Sequence, residues 1–122
     1  MGSTGVGAAG VSPPSRPVRV ALLCPDLLFG SRIESGLASA GHAVSRVKTA
    51  DEAGDSALLV VDLGEGVPDP PGAPVKSLGF YSHVDVDTRR RAEAAGYDKV
   101  VPRSRMAREM IPIVERLMAE AA

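Results

Sequence analysis

The 122-residue sequence is poor in aromatic side chains and in cysteine, and each shortage argues against a class of protein. It has no tryptophan and only 3% aromatic residues, which argues against a stacking platform for single-stranded nucleic acid. Its single cysteine, Cys24, cannot form an internal disulfide and is expected to be a small core residue. No apolar run approaches the roughly 18 residues of a membrane-spanning helix, and the N-terminus lacks a signal-peptide pattern. We therefore expect one cytoplasmic domain without a membrane segment.

The first 17 residues are rich in glycine, serine and proline and have no periodic pattern of large apolar side chains. Such a segment cannot offset the entropy cost of ordering, so residues 1–17 are predicted to be a flexible arm before a domain at 18–122. The arm contains Gly5, Gly7 and Gly10 in the spacing of a dinucleotide fingerprint. That fingerprint requires a strand before it and a helix after it, and neither pattern is present.

The stretch from Leu58 to Gly64 organises the rest of the chain. Four consecutive large apolar residues lead directly into Asp62. Without polar alternation, such a strand must be covered on both faces, as in the centre of an open α/β sheet. Ligands and chemistry in these sheets lie at the carboxyl ends of the strands. Asp62 is therefore a candidate site residue, with capping of the following turn as the alternative role.

Further strands and helices alternate around this stretch. Helix signals include Asp26 as an N-cap, Gly96 as a stop, Ser104 as the cap of a last helix, and Pro112 as the position where that helix kinks. The predicted strands cover residues 18–24, 42–48, 58–62, 75–82 and 97–101. This alternation predicts a flavodoxin-like, doubly wound parallel sheet of five strands in the order 2-1-3-4-5.

One connection of this predicted fold departs from the alternation. Seven of the eleven residues from 64 to 74 are glycine or proline. Proline lacks the backbone donor and clashes with the preceding turn of a helix. The third crossover helix is therefore predicted to be missing and replaced by a loop.

At the strand ends the sequence resembles the receiver domain of bacterial response regulators. Asp62 falls where that family keeps its phospho-accepting aspartate, and Ser82 falls where it keeps a phosphoryl-sensing Ser or Thr. The segment from Ala94 to Asp98 resembles the family's lead into strand five. The resemblance implies a module of a two-component system, with Asp62 as the phospho-acceptor and Ser82 and Arg103 as phosphoryl-sensing residues.

The departures from the family pattern imply an atypical, degenerate receiver. Cys24 and Pro25 stand where the family has adjacent acids for Mg²⁺, so Asp26 and Asp62 remain as ligands for at most a weakly held Mg²⁺. Arg103 and Ser104 replace a Lys-Pro pair, and Val100 replaces an aromatic residue that reports phosphorylation. An arginine fork does not reproduce the point charge of a lysine.

The C-terminal third is basic, although the whole chain has a net charge of -1. Residues 89–122 carry 8 basic and 5 acidic side chains, against 6 and 10 in residues 1–88. Arg90, Arg91 and Arg105 are the candidates for a surface that contacts a protein partner, with a solvated face as the alternative. The receiver resemblance also implies a possible homodimer through the fourth helix, fifth strand and last helix. The slightly acidic chain carries no nucleic-acid recognition motif.

These observations favour a non-enzymatic signalling module, a pseudo-receiver that acts by protein–protein interaction. One alternative is a conventional receiver that is phosphorylated at Asp62. The other is a small-molecule or nucleotide binder that uses the crevice between the first and third strands, near Asp26 and Asp62.

Overall fold

The computed structural model describes residues 17–82 and 84–120, and their five strands form one parallel sheet. The strands are β1 (Arg19–Leu23), β2 (Ala43–Arg46), β3 (Leu58–Asp62), β4 (Lys76–Tyr81) and β5 (Lys99–Pro102). Their spatial order is β2-β1-β3-β4-β5, and all four pairings are parallel. The predicted flavodoxin-like order is therefore confirmed. The predicted arm at residues 1–17 lies outside the described residues, apart from Pro17.

Three α-helices cover the two faces of this sheet. They are α1 (Leu27–Ser39), α2 (Val86–Ala95) and α3 (Arg103–Glu120). Helices α1 and α3 share one hydrophobic core with the sheet, and α2 belongs to the core on the opposite face. Two short 3-10 helices, Ala50–Ala53 and Leu63–Glu65, complete the fold. No helix in the described ranges has the length and apolar character needed to cross a bilayer.

Strand β3 is buried along its whole length, as its sequence predicts. Leu58 and Val60 pack into the core under α1 and α3, whereas Leu59 and Val61 pack into the core on the α2 side. Both faces of a central parallel strand are covered, so every position favours an apolar residue. Asp62 ends this strand, and it lies at the sheet edge on the side of Leu58 and Val60.

The start of α1 at Asp26 and the end of α2 at Gly96 follow the predicted signals. The Asp26 side chain accepts a hydrogen bond from the Phe29 N–H at 3.0 Å. Asp85 caps α2 by accepting from the Thr88 N–H at 3.1 Å. Gly96 ends α2 in the left-handed conformation, with φ of 104°. These caps satisfy backbone groups that have no partner inside the helix.

Helix α3 begins at Arg103, so Ser104 lies inside its first turn and the predicted cap at Ser104 is two residues after the cap position at Pro102. The helix is interrupted at Glu109, whose φ of -129° and ψ of 23° are not helical. This break lies three residues before Pro112. Proline has no N–H and its ring crowds the preceding turn, so the predicted kink is confirmed.

The connection from β3 to β4 contains no α-helix, as its glycines and prolines predict. It does contain one 3-10 turn, Leu63–Glu65, where the prediction had no helix from residue 64. Beyond this turn, Val67 and Val75 pack against the core on the α2 side. The Tyr97 hydroxyl donates a hydrogen bond to the Pro68 carbonyl oxygen at 2.8 Å. Side-chain contacts therefore hold the connection on the face where a crossover helix would pack.

Strand β5 begins at Lys99, two residues after the predicted start at Tyr97. Tyr97 is buried in the core on the α2 side, and burial raises the pKa of its hydroxyl to about 12. The Asp98 carboxylate accepts a hydrogen bond from the Ser77 N–H at 2.9 Å. The Asp98 N–H also donates to the Ser77 carbonyl oxygen at 3.0 Å, so Asp98 contacts β4 through both its backbone and its side chain just before β5 begins.

Candidate functional site

The candidate site lies at the carboxyl edge of the sheet, where β1, β3, β4 and β5 all end. The residues next to these strand ends are Cys24, Asp62, Ser82 and Arg103. Asp26 follows Cys24 closely and caps α1. Parallel strands bring residues that are far apart in sequence to one edge, which is where open α/β sheets hold their ligands.

Asp62 is 8% exposed, and its two carboxylate oxygens have different partners. Oδ1 accepts a hydrogen bond from the Gly64 N–H at 2.9 Å and thereby caps the 3-10 turn. Oδ2 lies 3.7 Å from the Cys24 Sγ and 3.9 Å from a terminal nitrogen of Arg103. Asp62 therefore does cap the turn, and its second oxygen faces the site.

The guanidinium of Arg103 connects the acidic side chains at this edge. One terminal nitrogen donates a hydrogen bond to the Asp26 carboxylate, and the other lies near Asp62. The guanidinium carbon is 4.3 Å from the centroid of the Phe29 ring, a cation–π distance. Phe29 in turn packs against Phe80, with ring centroids 5.2 Å apart. Arg103 is thus held between two carboxylates and an aromatic platform.

Hydrogen bonding lowers the pKa of the Asp26 carboxyl below its usual value. The largest cause is the Phe29 N–H at the start of α1, followed among the stabilising contacts by the hydrogen bond and charge of Arg103. Both favour the ionised form of the carboxyl. Asp26 is therefore a carboxylate at neutral pH, as its pairing with Arg103 requires.

Cys24 occupies the position that an acid would need in order to help bind a metal here. Burial, with the Asp62 charge as the second cause, raises the pKa of the Cys24 thiol to about 11. The side chain is therefore a neutral thiol at physiological pH, and Sγ lies 3.5 Å from the Asp26 carbonyl oxygen. A buried thiol with a raised pKa is inert rather than nucleophilic.

Asp26 and Asp62, the predicted ligands of a weakly held Mg²⁺, are both engaged by other contacts at this edge. Mg²⁺ prefers oxygen ligands in octahedral geometry. Beside the carboxylates of Asp26 and Asp62, this edge offers the Cys24 thiol, which is not an oxygen ligand. The guanidinium of Arg103 already pairs with both carboxylates. In the described ranges, no cluster of three or more His, Cys, Asp and Glu side chains is arranged to hold a metal.

Ser82 is exposed and borders a groove of about 410 Å³ on the α1 and α3 side of the edge. The groove is lined by Phe29, Arg32, Ser82, Arg103, Ser104 and Ala107. The structure therefore places Ser82 and Arg103, the two predicted phosphoryl-sensing residues, beside one groove. It records no hydrogen bond between the Ser82 hydroxyl and Asp62 within the described part of the chain.

The candidate partner residues lie on the two helices next to the edge strand β5. Arg90 and Arg91 are exposed on α2, and Arg105 is partly buried on α3. Arg91 lies 3.6 Å from Asp87, and Arg105 lies 3.3 Å from Glu109, so each has a local partner at i,i+4. Among the described residues, Arg90 forms no ion pair. We call this surface, made by Arg90, Arg91 and Arg105, the basic surface.

Sequence reasoning missed two features of the site. Phe29 was not identified as a site residue, although its ring packs against the Arg103 guanidinium. Cys24 was recognised as a core residue, although its thiol also faces Asp62. Neither contact leaves a local signal in the sequence, because the partners are distant along the chain.

Comparison with known proteins finds similarity in structure but not in sequence. No protein-family model matches the chain, and no curated protein matches it. Solved structures that it resembles include NtrX from Brucella abortus, with a TM-score of 0.71 and 15% identity over 86% of this chain and 27% of that chain. The receiver domain of the response regulator TorR gives a TM-score of 0.72 at 15% identity, over 87% of this chain and 100% of the domain.

A third similar structure is the non-phosphorylated receiver domain of HemR from Leptospira biflexa. Its TM-score is 0.66 at 21% identity, over 85% of this chain and 95% of that chain. The chain thus spans about a quarter of the NtrX chain and the whole of the TorR receiver domain. At these identities the likeness establishes a common fold, and that fold is the one of receiver domains.

Proposed function

We propose, from the fold shared with receiver domains, that this chain is a signalling module that binds a protein partner without a phosphorylation cycle. The observation that carries the proposal is the pairing of Arg103 with Asp26 and Asp62 at the sheet edge. In this proposal the domain is a pseudo-receiver and has no catalytic residue of its own.

The surroundings of Asp62 support the loss of phospho-acceptance. Phosphoryl transfer relies on positioning and on cations that neutralise the developing charge. One Asp62 oxygen is engaged by the Gly64 N–H, and the other faces a neutral thiol where a receiver has an acid. A phosphoryl group that approached Asp62 would also meet the Asp26 carboxylate, with Arg103 already shared between the two acids.

Val100 supports the loss of a phosphorylation relay. It lies in β5 and packs at the margin of the core on the α2 side. Valine has no aromatic ring that could rotate and no polar group that could change its hydrogen-bond partner, unlike the aromatic residue at this position in receivers. A switch needs contacts that differ between two states. Without such a residue, a change at Asp62 would have little effect on the basic surface.

Exposed apolar side chains beside the basic surface support partner binding. Val84 is 75% exposed and Val86 is 50% exposed at the start of α2. Val86 and Arg90 are four residues apart on α2, so they lie on the same side of the helix. An arginine beside exposed apolar area is typical of protein interfaces. This combination fits a partner segment that presents acidic and apolar side chains.

The conventional receiver and the crevice binder are less well supported. For the first, the two carboxylates that could hold the metal are already paired with Arg103. For the second, the Cys24 Sγ and Asp62 Oδ2 atoms lie only 3.7 Å apart at the ends of β1 and β3, which leaves little space for a ligand between these two side chains. No glycine-rich phosphate loop follows β1 either.

The absence of a phosphorylation cycle predicts that Asp62 stays unmodified in the presence of a phosphodonor. The domain is incubated with acetyl phosphate, or with beryllium fluoride as a mimic, at millimolar Mg²⁺. We expect no mass increase and no shift of the backbone amide resonances from Tyr97 to Arg108. An Asp62→Asn variant should give the same result. Stoichiometric modification that requires Asp62, with shifts that reach α3, would support a conventional receiver instead.

Partner binding predicts that charge reversal on the basic surface abolishes complex formation. An affinity-tagged Arg90→Glu, Arg91→Glu variant, with both changes at exposed positions of α2, should lose a protein that the wild-type domain captures from its native cells. Exposed substitutions of this kind change stability by only about 0.5 kcal/mol or less, so the melting temperature should hardly change. A matched control reverses two exposed basic residues elsewhere, Arg19→Glu and Lys48→Glu. Equal capture by both double variants would show that the basic surface is only a solvated face.

A further inference from the structure

We infer that Arg103 serves as the resident cation of Asp26 and Asp62, in the place of a divalent metal, and that it excludes divalent cations from the sheet edge. The pairing of one guanidinium with both carboxylates carries this inference. It goes beyond the proposed function, because it concerns the electrostatics of the edge and holds whether or not the basic surface binds a partner.

All three charged groups are held in place by other contacts. Asp26 is fixed by capping α1 and Asp62 by capping the 3-10 turn. Arg103 is the first residue of α3, directly after β5, and its guanidinium stacks on Phe29. Little side-chain freedom remains to be lost when the three groups pair. This preorganisation favours the internal cation over an ion that must first shed water.

The charge balance indicates why a metal ion and Arg103 exclude each other. Asp26, Asp62 and Arg103 together carry a net charge of -1, and a divalent ion bound to either acid would lie close to the Arg103 guanidinium. The neighbouring Arg46 donates to the Cys24 carbonyl oxygen and pairs with Glu34 instead of with these acids. Without Arg103, these two carboxylates would have no ion pair with any other side chain of the described residues. One or two carboxylates with water are a usual ligand set for Mg²⁺. Removal of Arg103 should therefore create a divalent-cation site in a protein that lacks one.

The inference is tested by titrating Mg²⁺ into the wild-type domain and two variants, Arg103→Gln and Arg103→Ala. The glutamine keeps most of the side-chain volume, so it serves if the alanine variant does not fold. A matched control, Arg108→Gln, removes an arginine that pairs with Glu109 on the same helix, away from the edge. Amide resonances are followed to about 20 mM Mg²⁺ at constant ionic strength. Mn²⁺ then locates the site by line broadening.

We expect saturable shifts at residues 24–29 and 62–64 in an Arg103 variant, and no saturable shifts there in wild type or Arg108→Gln up to about 20 mM Mg²⁺. Adding Asp26→Asn to the Arg103→Gln variant should abolish these shifts. Saturable binding by the wild type at the same residues would overturn the inference, since Arg103 would not exclude the ion. Absence of binding in every folded Arg103 variant would also overturn it. Neither outcome depends on partner capture, so the proposed function and this inference can fail separately.

Discussion

Replacing Phe80 by alanine is expected to destabilise the domain by about 3–5 kcal/mol, the usual cost of truncating a buried phenylalanine. Phe80 is 0% exposed in β4, where it pairs in register with Asp62 on one side and Val101 on the other. Its ring also supports Phe29 beneath Arg103. The cavity would therefore open directly under the candidate site. Such a loss is a large part of the roughly 5–15 kcal/mol that holds a typical domain folded.

Urea denaturation of wild type, Phe80→Ala and Phe80→Leu measures this effect. The leucine variant keeps most of the apolar volume and should lose less. A matched surface control is Val86→Ala, which truncates a half-exposed side chain and should change the free energy of unfolding by about 0.5 kcal/mol or less. If Phe80→Ala cost no more than Val86→Ala, the core under the site would not be packed as described.

Replacing Gly79 by alanine is expected to cost about 1–3 kcal/mol, because it overpacks the core on the α2 side. A Cβ at this position would lie 2.7 Å from Leu63 Cδ1 and 3.3 Å from Tyr97 Cδ2. Both neighbours are buried, and Tyr97 is also fixed by its hydrogen bond to Pro68. Neither side chain can move away without disturbing the connection between β3 and β4.

Gly36→Ala is the matched control, because it makes the same chemical change on the other face of the sheet. The new Cβ would meet Met110 Sδ at 2.7 Å, which is near the end of a flexible side chain. Alanine is also favoured over glycine inside a helix by up to about 1 kcal/mol. We expect this variant to be close to wild type or more stable in thermal unfolding. Equal destabilisation by the two substitutions would contradict the close packing assigned to Gly79.

The sequence predicts the fold of this chain well because its signals are local. An apolar run without alternation identifies β3, and Asp26 and Gly96 mark helix ends at the residues where the structure has them. The start of β5 was predicted less well. It depends on the burial of Tyr97 against a distant segment and on the hydrogen bond from Ser77 to Asp98. These tertiary contacts have no local pattern.

The same distinction applies to the candidate site. Parallel topology alone predicts that Asp26, Asp62, Ser82 and Arg103 follow strands that end at one edge, and the structure places them there. The sequence cannot predict which side chains touch. It did not indicate that Asp62 would share its oxygens between a turn and the site. Side-chain conformations at the ends of the strands depend on all the surrounding residues rather than on neighbours in sequence.

The hydrogen bond between Tyr97 and Pro68 makes the connection between β3 and β4 visible to ultraviolet spectroscopy. The chain has no tryptophan and two tyrosines, Tyr81 and Tyr97, so its intrinsic fluorescence comes from these two rings. Both are buried, and only the Tyr97 hydroxyl is bonded to the glycine- and proline-rich segment. Comparison with a Tyr81→Phe variant isolates the Tyr97 emission. Detachment of this segment from the sheet can then be followed without an attached dye.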